Sequence, residues 1–99
     1  MTVVVKPYLF LCGVLGFREK KISLAEGALV KDLLAVLRVQ YGLPERISFG
    51  RADLVFFDGE HPVGLQILIN GASIKQQQGI MTPLRDGMVV ALFPPAAGG

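Results

Sequence analysis

The chain is short of nearly everything that side-chain catalysis draws on. Its 99 residues hold one histidine and one cysteine. A single cysteine excludes an internal disulfide and fits a reducing compartment. Cys12 ends an apolar run, where a small buried hydrophobe is its ordinary role, and only the distant Arg18 is at hand to activate it. His61 stands beside Pro62 in a turn-like stretch, with no partner nearby in sequence, and reads as a solvated loop residue rather than a base. Glu26 with Asp32, and Asp58 with Glu60, flank a helix start and a turn without acid–base geometry. There is no glycine-rich phosphate loop and no metal-ligand spacing, so no metal site is expected. Basic residues never cluster beyond Lys20-Lys21, the net charge is only +2, and no aromatics interleave with the basic pair. Nucleic acid is therefore not an expected partner. Long hydrophobic runs are missing too. The most apolar segment, Pro7 to Phe17, is eleven residues interrupted by Gly13 and Gly16, against the roughly 20 a bilayer span needs. The opening Thr-Val-Val-Val and the Leu11 before Cys12 match neither a secretory nor a lipoprotein signal. The chain reads as cytoplasmic, with no membrane partner.

What is present is apolar. A hydrophobic share of 52% with 18% charge excludes disorder, and the length allows one domain with a modest core and apolar surface to spare. Thr2 to Leu11 is β-branched and then aromatic, and reads as a first strand. With Lys6 toward solvent, the two-residue period puts Val4, Tyr8 and Phe10 on its face, and Val3, Val5, Leu9 and Leu11 toward the core. Pro7 implies a bulge or a locally unpaired position. Gly13 to Phe17 reads as a turn. Arg18 to Leu24 reads as a charged second strand, whose lysines suit a sheet edge. After Ala25-Glu26-Gly27-Ala28 comes the clearest periodic element. Leu29, Leu33, Leu37 and Tyr41 recur at i+4 with Val30 and Leu34 beside them, predicting a helix stopped by Gly42 and Pro44. Its start is poor, since leucine at position 29 cannot cap, and Asp32 offers only dipole compensation. Leu54 to Phe57 predicts a strand entering a tight turn at Asp58-Gly59, and Gly64 to Ile69 another strand closed by Asn70-Gly71. The periodicity does not decide whether these two pair. Ser73 to Met81, with three consecutive glutamines, reads as an exposed loop, and Leu84 to Gly87 as the turn into a last strand.

That last strand ends abruptly. Val89 to Phe93 has strand composition, and Pro94-Pro95 forbid its continuation because neither can donate a ladder hydrogen bond. Ala96, Ala97, Gly98 and Gly99 have nothing to bury. The expected division is a body over residues 1–93 and a flexible tail over 94–99, reaching roughly 20 Å when extended. Two terminal glycines make the narrowest backbone available, which suits a carboxylate that must enter another protein's channel.

Thr82-Pro83-Leu84-Arg85-Asp86-Gly87, then Val90-Ala91-Leu92-Phe93-Pro94-Pro95 and Gly98-Gly99, resemble the ubiquitin-like sulfur carriers, closest to the small subunit of molybdopterin synthase. Ile67-Leu68-Ile69-Asn70-Gly71 and Leu24-Ala25-Glu26-Gly27-Ala28 resemble that family's strand–turn and pre-helix segments. The likeness covers most of the chain, is dense from Leu68 onward and thins from Pro44 to Val63.

Both the element order and the resemblance imply an α+β fold of β-grasp type, a mixed sheet of four to five strands with one main helix on one face. Val90 and Leu92 would lie under the helix, with Val89, Ala91 and Phe93 on the open face. The family often carries an acidic residue where Val89 stands, so this open face is unusually apolar. With first and last strands adjacent, Phe10 and Phe93 are expected to form one exposed, partner-binding patch. The resemblance further implies that Gly99 is the reactive position, with Pro94, Pro95, Gly98 and Gly99 as the inserting tail. Its carboxylate would be adenylated with ATP by a ubiquitin-activating-like enzyme, with no cofactor bound to the chain itself. A sulfur donor protein would convert it to a thiocarboxylate, and the molybdopterin synthase large subunit would use that sulfur for a molybdenum or tungsten cofactor. The chain would then be a non-catalytic subunit. Three alternatives stand beside this one: a carrier for thiamine, tRNA thiolation or an amino acid; a ubiquitin-like modifier joined to lysines through Gly99; and a β-grasp interaction module with an inert tail.

Overall fold

The computed structural model describes residues 1–95; Ala96 to Gly99 and the side chain of Phe49 lie outside the described residues. Strand β1 (Thr2–Pro7) leads into a short helix α1 (Leu11–Leu15), strand β2 (Lys20–Ser23) and the main helix α2 (Val30–Gln40). A hairpin of β3 (Arg46–Phe49) and β4 (Ala52–Val55) follows, then β5 (Gln66–Ile69), β6 (Ala72–Ser73), two 3-10 turns at Ile74–Gln76 and Gly79–Met81, and β7 (Val89–Phe93). The main sheet has the order β2-β1-β7-β5-β6, with β1 and β7 parallel and the other neighbours antiparallel. This is the mixed five-stranded sheet of a β-grasp fold. No helix among the described residues is long and apolar enough to cross a membrane.

Alternation sorts the sheet into two faces. Val3, Val5, Ile67, Ile69, Val90 and Leu92 are buried, and share one apolar cluster with Val30, Leu33, Leu34 and Leu37 of α2. The i+4 pattern therefore names the packed face of the helix. Its stop also matches, with Gly42 at φ 72°. The weak N-terminus is repaired from two directions. The Leu29 N–H donates to the Asp32 carboxylate at 2.7 Å, and the Val30 N–H donates to the Thr82 carbonyl at 2.9 Å. Thr82-Pro83-Leu84 thus runs across the helix start, where the Leu84 N–H also reaches the Ala28 carbonyl at 2.9 Å. A carbonyl 52 residues away in sequence satisfies a donor that a local side chain would otherwise cap.

The first strand is shorter than expected. It ends at Pro7, not Leu11, and residues 11–15 form α1 where a turn was expected from Gly13. Leu11 and Leu15, at helical i+4 spacing, are the buried positions, while Leu9 is 74% exposed instead of facing the core. Pro7 is accommodated without a bulge. The Val4 and Tyr8 N–H groups donate to Met88 and Leu92 of the β7 side at 2.9 Å, so the odd-numbered residues of β1 turn their N–H positions toward β2. Val5 pairs with Lys20, the first residue of β2, so at Pro7 no neighbour awaits a donor.

Between Pro44 and Val63 the chain builds a hairpin apart from the main sheet. The expected strand Leu54 to Phe57 stops at Val55. Phe56 and Phe57 instead enter the core, their N–H groups both donating to the Glu45 carbonyl at 2.7 and 3.2 Å. The Asp58-Gly59 turn is present, with Asp58 and His61 exchanging backbone hydrogen bonds at 2.9 and 3.0 Å. The glutamine-rich segment is not a simple loop: Ile74 and Ile80 are buried anchors on either side of exposed Gln76, Gln77 and Gln78.

Candidate functional site: the open sheet face and the tail root

On the face away from α2, the register sets Lys21, Val4 and Val89 in one row, Lys6, Ala91 and Leu68 in the next, and Phe93 with Gln66 beyond. Val4, Val89, Ala91, Leu68 and Phe93 are only half-buried. Val90 and Leu92 lie on the core side at 0% exposure, so the strand phase read from the sequence holds. An apolar stripe therefore lies uncovered, bordered by Lys21 on one side and by Lys6, which is paired with Glu19 at 3.4 Å.

Phe93 does not meet Phe10. Its neighbour is Tyr8, with ring centroids 4.5 Å apart and planes 7° from parallel. Phe10 follows the left-handed Leu9 and begins the turn into α1, which carries its ring toward Phe56 at a centroid distance of 6.4 Å. The exposed patch at this end of the sheet is thus centred on Tyr8 and Phe93. The two-residue period failed to identify Tyr8's partner because the strand had already ended before Phe10.

The root of the tail is packed. Pro94 is buried and Pro95 half-buried, so the folded body continues at least one residue beyond the expected boundary at Phe93. Both prolines line a groove of 510 Å³ with Pro62, Val63, Leu65, Ile74 and Ile80, and with His61 and Lys75. Pro94 continues the alternation that buries Leu92, which fixes where the chain leaves the body. Gly98 and Gly99, the positions expected to insert and react, lie outside the described residues. Sequence reasoning missed this groove, although Ile74 and Ile80 on either side of the glutamines carried a signal for its wall.

Other candidates stay apart from this end group. Cys12 is half-buried, and its Sγ donates to the Pro7 carbonyl at 3.2 Å. His61 is exposed in its turn. Among the described residues no three His, Cys, Asp or Glu side chains come together as a metal-binding group. The arrangement offers an apolar docking face and a chain end that starts from a fixed point.

The ThiS family model matches residues 13–99. Small archaeal modifier protein 3 of Haloferax volcanii is 35% identical over 74 residues, which are 75% of this chain and 73% of that protein. The crystal structure of SAMP1 from Haloferax volcanii has a TM-score of 0.76 at 26% identity, covering 100% of each chain. The putative molybdopterin converting factor, subunit 1, from Pyrococcus furiosus has a TM-score of 0.72 at 28% identity, covering 97% of this chain and 99% of that one. Matched along nearly its whole length and carrying the β-grasp fold, the chain belongs to the ThiS family, the ubiquitin-like carrier and modifier proteins.

Proposed function

We propose that this protein is a sulfur carrier whose working group is the C-terminal carboxylate of Gly99, serving the synthesis of molybdopterin. The carboxylate oxygen attacks the α-phosphorus of ATP on an adenylating partner, pyrophosphate leaves, and an acyl-adenylate forms. Sulfide-level sulfur (HS⁻) released by a donor protein then attacks the acyl carbon, the bond to AMP breaks, and a thiocarboxylate is left, a nucleophile at neutral pH. The chain does no catalysis itself; a second protein binds the apolar face and uses the sulfur. The observation that carries this reading is the placement of the packed Phe93-Pro94-Pro95 root beside an uncovered apolar face. A partner seated on that face has the start of the tail at its edge. The Pyrococcus furiosus protein, described as one subunit of a molybdopterin converting factor, supports the same direction.

A second reading has its own support. The Haloferax volcanii relative at 35% identity is described as a modifier, and activation of Gly99 followed by lysine attack would make this chain one as well. Intact-mass measurement of protein from cells running its pathway separates the two. Replacement of one oxygen by sulfur at the C-terminus, together with co-purification of a larger synthase subunit, is the expected result. Lysine-linked adducts without the sulfur form would replace the carrier reading with the modifier one.

A further inference from the structure

The walls of the 510 Å³ groove at the tail root include the buried Leu65, Ile74 and Ile80, together with Val63, which is 61% exposed. An apolar concavity that leaves such a side chain in water gains by being covered. Its charge is one-sided. Lys75 lines it and no aspartate or glutamate does, and Lys75 makes no ion pair among the described residues. A narrow apolar segment that ends in an anion matches this combination.

The course of the chain says which segment that is. Pro94 and Pro95 belong to the lining themselves, one buried and the other half-buried, so the next residue starts at the groove. Ala96-Ala97-Gly98-Gly99 follow, and four residues span at most roughly 14 Å, enough to cross a groove of this volume. Two methyl groups and two bare glycines bring no bulk, and a carboxylate comes last. Because the segment is joined to the groove, it meets it at an effective concentration on the order of millimolar, which no free peptide at ordinary levels approaches.

We propose that residues 96–99 fold back into this groove and that the Gly99 carboxylate pairs with Lys75, forming a reversible latch on the working end of the chain. The inference rests on the proposed role of that carboxylate. An ion pair at an exposed lysine is weak, so the latch sets a population and leaves the end free to be withdrawn. An activating enzyme binds only the released fraction, and its apparent affinity falls by that fraction. A thiocarboxylate carries the same charge on the same backbone, so the sulfur-loaded end is held as well, shielded from stray electrophiles between one partner and the next.

The test is solution NMR of the isotopically labelled full chain, with carboxypeptidase digestion beside it. NOEs are expected between the Ala96 and Ala97 methyl groups and those of Ile74 and Ile80. Lys75→Arg keeps them and Lys75→Glu weakens them. Both variants retain the wild-type Tm, since Lys75 is exposed and its backbone N–H, which donates to the Ser73 hydroxyl at 3.2 Å, is unchanged. Gly99 is released about two- to fivefold faster from Lys75→Glu than from wild type or Lys75→Arg. A wild-type chain without those NOEs, or digestion of Lys75→Glu at the wild-type rate, overturns the latch; a thiocarboxylate found by intact mass in the same chain leaves the carrier reading standing. NOEs that arise only between labelled and unlabelled copies assign the groove to a second molecule's tail and also overturn the proposal. Intramolecular NOEs in a chain that never gains sulfur keep the fold-back and remove the carrier reading.

Discussion

The ring of Tyr8 lies flat against that of Phe93, 4.5 Å between centroids and 7° from parallel, tying the end of the first strand to the root of the tail. The contact joins residues 85 apart in sequence, at the end of the parallel β1–β7 pair. It makes the exit of the tail a property of the folded sheet. A double-mutant cycle with Tyr8→Ala and Phe93→Ala, read by urea unfolding, is expected to give a coupling of about 0.5–1.5 kcal/mol. Additive single effects would show that the stack contributes nothing beyond the separate burial of each ring.

Asp32 stands in for the cap that Leu29 cannot supply. Its carboxylate accepts from the Leu29 N–H at 2.7 Å in the first turn of α2. Asp32→Ala removes that bond and the favourable charge at the helix start, and should lower stability by about 1 kcal/mol. Circular dichroism through a urea titration measures this, with an unchanged m-value showing that the fold is retained.

Two glycines in similar-looking sequence should respond in opposite ways. A Cβ on Gly64 would sit 1.8 Å from the Val55 carbonyl oxygen, a backbone atom with no room to give. Gly64→Ala is expected to cost roughly 3 kcal/mol or more, because the loop must separate from the hairpin. Gly13 lies inside α1 with open space around its would-be Cβ and no positive φ. Gly13→Ala should raise stability by about 0.5–1 kcal/mol through the entropy of the unfolded chain. Thermal unfolding of the pair gives both signs in one experiment.

Gly99→Ala tests the threading of the chain end. The substitution falls beyond the described body, so Tm should match wild type. Sulfur transfer from the thiocarboxylate should fall sharply, because a Cβ crowds both the channel and the reacting carbonyl. Transfer at the wild-type rate would show that the end glycine is not selected for its width.

Features that depend on neighbours along the chain follow from the local residue pattern. The i+4 leucines define the helix and its buried face, the alternation of Val89 to Phe93 assigns each side chain to a face, and Pro94-Pro95 end the strand, all through local steric and hydrogen-bonding rules. The ubiquitin-like character of the chain was legible for the same reason, being written in turns and strands of fixed local spacing. Tertiary structure alone decided the rest. Pro7 is tolerated because β2 begins only opposite Val5, Val30 finds its acceptor in Thr82, and Phe93 finds Tyr8 rather than Phe10. In each case the deciding atom lies far away in sequence, and only the closing of the sheet brings it within reach.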